Sequence, residues 1–119
     1  MRDLPIYVAM AAFLLMGVGA LARPTLVTAQ FGMSDLTAAG RNEVRAVYGG
    51  FGVLMAWMLL IALQREDLRG GILLTLAYAL GGMAAGRVLS ALIDRRIDRW
   101  PLCYLLLEAA LALLLIRAM

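Results

Sequence analysis

The sequence predicts an all-α integral membrane protein. It is expected as an antiparallel four-helix bundle over residues 1–119, a single domain with an interfacial segment between helices 1 and 2. Three observations carry that expectation. Hydrophobic residues make up 64% of the chain and the mean hydropathy is +0.88, whereas roughly half of an ordinary soluble domain is apolar. The apolar residues fall into four runs, each near the ~20 residues that cross about 30 Å of hydrocarbon. Finally, no run alternates over roughly ten residues as a barrel strand would. A backbone that must satisfy its own hydrogen bonds in lipid therefore coils into helices.

The first run, residues 5–22, is closed by Arg23-Pro24. Its Ala20-Leu21-Ala22 resembles a signal-peptidase site, but Asp3 follows Arg2 and the run exceeds the usual ~7–15 apolar residues of a leader, so it reads as a retained helix. Between Arg23 and Asn42, Leu26, Val27, Phe31, Met33 and Leu36 are too apolar for a solvated loop. Part of this segment is expected to lie in the membrane interface. Ser34-Asp35 is the expected cap of a short helix there and Gly40 its break. The second run spans residues 44–63 and is closed by Gln64-Arg65-Glu66-Asp67. The third, residues 70–93, is interrupted only by Arg87 and is long enough to tilt. The fourth, residues 100–116, is interrupted only by Glu108. Residues 65–69 and 94–99 read as short charged loops, which make neighbouring helices antiparallel.

Glycines describe the expected packing. Gly82 and Gly86 form a GxxxG pair in the third run, while Gly49, Gly50 and Gly52 gather in the second. Small residues let membrane helices approach closely. All five are expected at helix–helix contacts within the bundle, with a homo-oligomer face as the other use of such glycines.

Charge and absences narrow the chemistry. The net charge of +3 comes from eleven arginines, with no lysine, against eight acids. These are scattered among the apolar runs, so a nucleic-acid partner, which needs a basic face, is not expected. With no histidine, imidazole-ligated haem and histidine-based zinc chemistry are excluded. Schiff-base chemistry falls with lysine. Cys103 is the single cysteine, which rules out an intrachain disulfide and reads as a packing residue. No metal and no cofactor is expected.

The charges that remain inside the runs converge. In antiparallel helices the second run starts, the third ends and the fourth begins on one side of the membrane. Arg87 then lies about 9 Å from that side and Glu108 about 12 Å. Arg45 and Tyr48 sit within the first two turns of the second run. Tyr104 and Glu108 share a helical face, as do Arg45, Tyr48, Gly49 and Gly52. A lone charge in lipid costs several kcal/mol, so these faces should turn inward and pair. Arg45, near a helix N-terminus that disfavours a cation, is expected to meet Glu108; Arg87 would meet Glu108 or Glu43. Alternatively, Asn42 caps the helix, Glu43 merely favours its dipole, and Arg45 reaches headgroups.

The pattern Glu43-x-Arg45-Ala46-x-Tyr48-Gly49-Gly50, followed by Gly86-Arg87 and Glu108, resembles the bacterial family catalogued as domain of unknown function 4345, small four-helix integral membrane proteins. The resemblance covers nearly the whole chain. It implies functional positions at Glu43, Arg45, Tyr48, Gly49, Gly50, Arg87 and Glu108, and it brings no activity with it.

Two functions suit these residues. In one, Glu43, Arg45, Tyr48, Arg87, Tyr104 and Glu108 bind or move a small amphiphilic ligand (lipid-, quinone- or fatty-acid-like) in the bacterial inner membrane. In the other, the chain is a non-catalytic accessory subunit of a larger membrane complex, with its glycine-rich faces as contact surfaces; the charged cluster, for its part, could also simply lock the bundle together. An enzyme is the weakest reading, since no nucleophile–base pair or metal set is visible. Six arginines (Arg23, Arg41, Arg45, Arg95, Arg96, Arg99) flank one side and four (Arg2, Arg65, Arg69, Arg117) the other. That bias would put both termini in the periplasm.

Overall fold

A computed structural model describes residues 2–119, which are helical nearly throughout and contain no strand. The helices are α1 (Leu4–Ala22), α2 (Pro24–Thr28), α3 (Ala38–Val44), α4 (Phe51–Gln64), α5 (Glu66–Asp94) and α6 (Arg99–Arg117). A 3₁₀ turn, Ala29–Phe31, extends α2, and a π-helical turn, Arg45–Gly50, joins α3 to α4 without a break. Four stretches among the described residues are long and apolar enough to cross a membrane: Leu4–Ala22, Ala38–Gln64, Glu66–Asp94 and Arg99–Arg117. Their apolar side chains are widely exposed, Leu15 at 75% and Leu92 at 71% among them. That much open apolar surface suits lipid and not water.

The described residues form two compact units, Tyr7–Ile61 and the set of residues 2–6 with Ala62–Met119. In the first, α1 meets the π turn and α4 at backbone distance. A β-carbon on Gly17 would lie 2.7 Å from the Val53 nitrogen and 2.8 Å from the Gly49 carbonyl oxygen. One on Gly52 would lie 2.8 Å from the Phe13 carbonyl oxygen and 3.0 Å from the Gly17 α-carbon. Gly49 is as tight, but against the end of the Leu21 side chain, at 2.7 Å. Phe13 and Phe51 close one flank edge-to-face, their ring centres 6.5 Å apart.

The second unit is a hairpin of α5 and α6. The buried residues of α5 (Arg69, Ile72, Leu73, Leu76, Ala77, Leu80 and Ala84) recur at three- and four-residue intervals, forming one stripe along the helix. On α6 the matching stripe is Glu108, Leu111, Ala112 and Leu115. The connection needs only residues 95–98: Arg95 turns left-handed at φ 55°, and the Arg96 N–H donates back to the Ala91 carbonyl at 3.1 Å.

Several sequence expectations need correcting. The second long helix starts at Ala38, not at residue 44, because Thr37 caps it: the Gly40 N–H donates to Thr37 Oγ1 at 3.0 Å. Neither Ser34-Asp35 nor Asn42 is the cap, and Glu43 sits inside α3. Gly40 lies within the helix, and the break falls at Gly32, whose φ of 83° favours glycine. Residues 66–69, read as loop, are the first turn of α5, where the acids Glu66 and Asp67 complement the helix dipole. Gly82 and Gly86 are not contact glycines: a β-carbon on either would meet nothing within 4 Å. At about 100° per residue they lie on roughly the opposite side of α5 from Leu73 and Leu80.

Candidate functional site

Both long stripes of the α5–α6 hairpin carry charge at their ends. On α5 the stripe begins at Arg69, and Arg87 falls on the same face 18 residues later, five whole turns and about 27 Å along the axis. Each arginine is met by α6, and the two meetings differ in kind.

Arg87 pairs with Glu108. Its Nε donates to Oε1 at 2.7 Å and its Nη2 to Oε2 at 3.0 Å, a two-bond fork between planar groups. The Glu108 side chain is 6% exposed and that of Arg87 24%. Burial of the carboxylate would be costly alone and is tolerable because its charge and both oxygens are matched. Tyr104, one turn before Glu108 on α6, lies under the guanidinium, 5.5 Å from ring centre to Cζ. Trp100 continues the row at 6.4 Å from Tyr104, with Arg99 over its ring at 5.3 Å. Glu108 stands about 13 Å into α6 from Arg99, and Arg87 about 10 Å in from Asp94. The result is a net-neutral ion pair among apolar helices, flanked by an aromatic ladder that rises to the Arg95–Asp98 turn.

Arg69 is the charge that sequence reasoning missed. It is 3% exposed. Its Nε donates to the Ala118 carbonyl at 3.0 Å, Nη1 to Asp3 Oδ1 at 2.7 Å and Nη2 to the Arg2 carbonyl at 3.3 Å. One side chain thus ties the N-terminal residues and the end of α6 to the first turn of α5. The available signal was its place in the α5 stripe, four residues ahead of Leu73, which a loop assignment over residues 65–69 concealed. Nearby pairs are solvent-facing: Arg2 with Glu66 at 2.6 Å and Arg65 with Asp67 at 2.7 Å. At the other end, Arg96 pairs with Asp98 at 2.8 Å. Hydrogen bonding to that carboxylate raises the already high pKa of Arg96.

Glu43, Arg45 and Tyr48 belong to the Tyr7–Ile61 unit. Arg45 opens the π turn, and its Nε donates to the Leu21 carbonyl at 3.0 Å. The expected partner was a carboxylate; the observed one is the end of α1. Pro24 lacks the N–H that would prolong α1, so the last carbonyls of the helix lack their own donors. A cation there also favours the dipole. Placed seven residues inside the helix, Arg45 no longer faces the N-terminal penalty expected of it. Glu43 is exposed, Tyr48 is half-buried, and Gly50 makes only ordinary contact, 3.8 Å to the Arg45 carbonyl oxygen.

Among the described residues no group of three or more histidine, cysteine, aspartate and glutamate side chains could hold a metal ion. Cys103 is exposed on α6, not packed in the core as expected.

Fold and composition together define an all-helical chain whose four long apolar helices suggest a membrane protein. It belongs to the family described as domain of unknown function (DUF4345), whose model matches residues 4–119. Neither a curated protein nor a solved structure matches the chain.

Proposed function

We propose that this is a multi-pass protein of the bacterial inner membrane that binds, and in doing so can move, a small amphiphilic ligand at Arg87, Tyr104 and Glu108. Its four long helices cross the bilayer as an antiparallel bundle, with the segment after α1 in the interface. Four crossings leave both termini on one side, which the arginine bias makes the periplasm.

One observation carries the reading: a paired arginine and glutamate stand about two turns inside apolar helices, the glutamate buried and the arginine side chain 24% exposed beside a tyrosine. Ionisable groups at such depth are expensive, and a polar floor among apolar walls suits a ligand with a polar head and an apolar tail. The chain's own residues would orient the head; no bond need be made or broken.

A second reading, an accessory subunit in a larger complex, has its own support in the unfilled face around Gly82 and Gly86. Native mass spectrometry of gently extracted protein separates the two. The ligand reading expects a retained lipid-like mass that is lost in Arg87→Met. A partner chain with no small adduct would overturn it in favour of the subunit.

A further inference from the structure

We infer that the head group accepted at Arg87 and Glu108 is uncharged and bears a hydroxyl, as in a monoacylglycerol or a long-chain alcohol, and is not a carboxylate or phosphate. The inference rests on the ligand reading above and specifies its chemistry. Arginine ordinarily invites an anion, and here the geometry withdraws that invitation. Both oxygens of Glu108 are seated on the Nε and Nη2 edge of Arg87. The pair therefore sums to zero charge within the hairpin.

An anionic head would have two routes in, both poor. It could stay beside the pair, leaving one uncompensated negative charge next to the Glu108 carboxylate. Leu80 and Ala84 precede Arg87 on the α5 stripe and Leu111 and Ala112 follow Glu108 on that of α6, all of them buried, so little solvent screens that repulsion. Or it could displace Glu108 from the guanidinium, which strands a carboxylate that is only 6% exposed. A neutral hydroxyl meets neither obstacle. An ionised carboxylate has about four acceptor positions, and the fork with Arg87 uses one on each oxygen. A hydroxyl can donate to the carboxylate edge outside the fork while its chain runs along the apolar helices. A carboxylate or phosphate diester has no proton to donate there. Tyr104 and Trp100 supply flat apolar surface on the approach from the Arg95–Asp98 turn.

The charge of the site should then be switchable. Replacing Glu108 by glutamine removes one negative charge from beside Arg87, and the preference should reverse toward an anion. The test uses the full chain in a non-ionic detergent at pH 8, titrated in native mass spectrometry with monoolein and with oleate, which share one acyl chain. The unaltered protein should retain monoolein at least about tenfold better than oleate, and Glu108→Gln should invert that order. A control that survives any folding defect of the single variant is Arg87→Met with Glu108→Leu. This apolar replacement of a buried pair commonly preserves stability, and it should abolish retention of monoolein. Preference of the unaltered protein for oleate would overturn the neutral-head inference while leaving the ligand reading intact. Retention of neither probe, or equal retention of monoolein by the apolar double variant, would overturn the ligand reading itself.

Discussion

Changing Gly52 to alanine should loosen the crossing of α1 with α4, whereas the same change at Gly86 should not. The two glycines lie in long helices of similar composition, so intrinsic preference acts alike on both: alanine is favoured over glycine in a helix by about 0.5–1 kcal/mol. Space separates them. The new methyl at position 52 would sit 2.8 Å from the Phe13 carbonyl oxygen, 3.0 Å from the Gly17 α-carbon and 3.1 Å from its nitrogen. All three neighbours are backbone, so no rotamer change relieves the contact and the helices must part by several tenths of an ångström. Overpacking of that kind costs about 1–3 kcal/mol. With the intrinsic gain subtracted, the net loss is about 0–2.5 kcal/mol, centred a little above 1. At Gly86 nothing lies within 4 Å, and only the intrinsic gain of about 0.5–1 kcal/mol remains. In a chain of this size each kcal/mol moves the midpoint by about 3–5 °C. Thermal unfolding in detergent, followed by circular dichroism, should therefore show Gly52→Ala several degrees below the unaltered protein and Gly86→Ala level with it or slightly above. Equal behaviour of the two, or a drop confined to Gly86→Ala, would refute the assignment of contact and open faces. A fall at Gly86→Ala that depends on protein concentration would instead reveal a partner copy on that face.

Other substitutions report on the polar contacts. Arg69→Met orphans the Ala118 and Arg2 carbonyls and frees Asp3, whose side chain is 49% exposed and stays hydrated; the expected loss is about 2–3 kcal/mol in thermal unfolding, with faster amide exchange in the last turn of α6. Arg45→Met removes the donor at the end of α1 from an exposed position and should cost about 0.3–1 kcal/mol, with exchange quickening around residues 21–25. Thr37→Ala should cost about 1 kcal/mol and fray the start of α3. Asp67→Asn, by contrast, should lower the midpoint only slightly, through its place in the first turn of α5, and less so as salt is raised, because its pairing with Arg65 faces solvent.

How far the fold was legible depends on which physical term dominated each stretch. The apolar runs announced the long helices because burial in lipid and internal backbone bonding leave a hydrophobic stretch of ~20 residues little choice. Their ends were less legible, since the second helix begins six residues earlier, at Ala38, and α5 four residues earlier, at Glu66, than the apolar runs did. Hydropathy marks where a helix enters apolar surroundings; capping and dipole terms, worth about 1 kcal/mol, decide where it starts. Thr37 and the Glu66-Asp67 pair carry those smaller terms. The packing glycines divide in the same way. A small residue permits close approach but does not say which side of the helix is approached: a β-carbon on Gly49 or Gly52 would crowd α1, whereas one on Gly82 or Gly86 would meet nothing within 4 Å.

The arginines separate what sequence can and cannot say about a charged group in an apolar chain. Cost alone demanded that Arg87 and Glu108 find partners, but depth and charge balance left Glu108 open to Arg45 as well as Arg87, and only the structure gives it to Arg87. Arg45 and Arg69 obey the same demand through a different currency. Each binds backbone carbonyls, Leu21 for one and Ala118 and Arg2 for the other, at places where a helix ends or the chain begins. Backbone acceptors have no sequence signature, so a search for carboxylates could not find them, although every helix leaves about four such carbonyls unpaired at its C-terminus. Arginine, with five donors in a rigid fork and a charge it does not lose, is suited to both tasks. An arginine within reach of a helix end is thus already explained by backbone chemistry. Arg87 stands apart from that class, because a side chain, the Glu108 carboxylate, meets it about two turns inside α5. That contrast is the reason the functional reading belongs to Arg87, Tyr104 and Glu108.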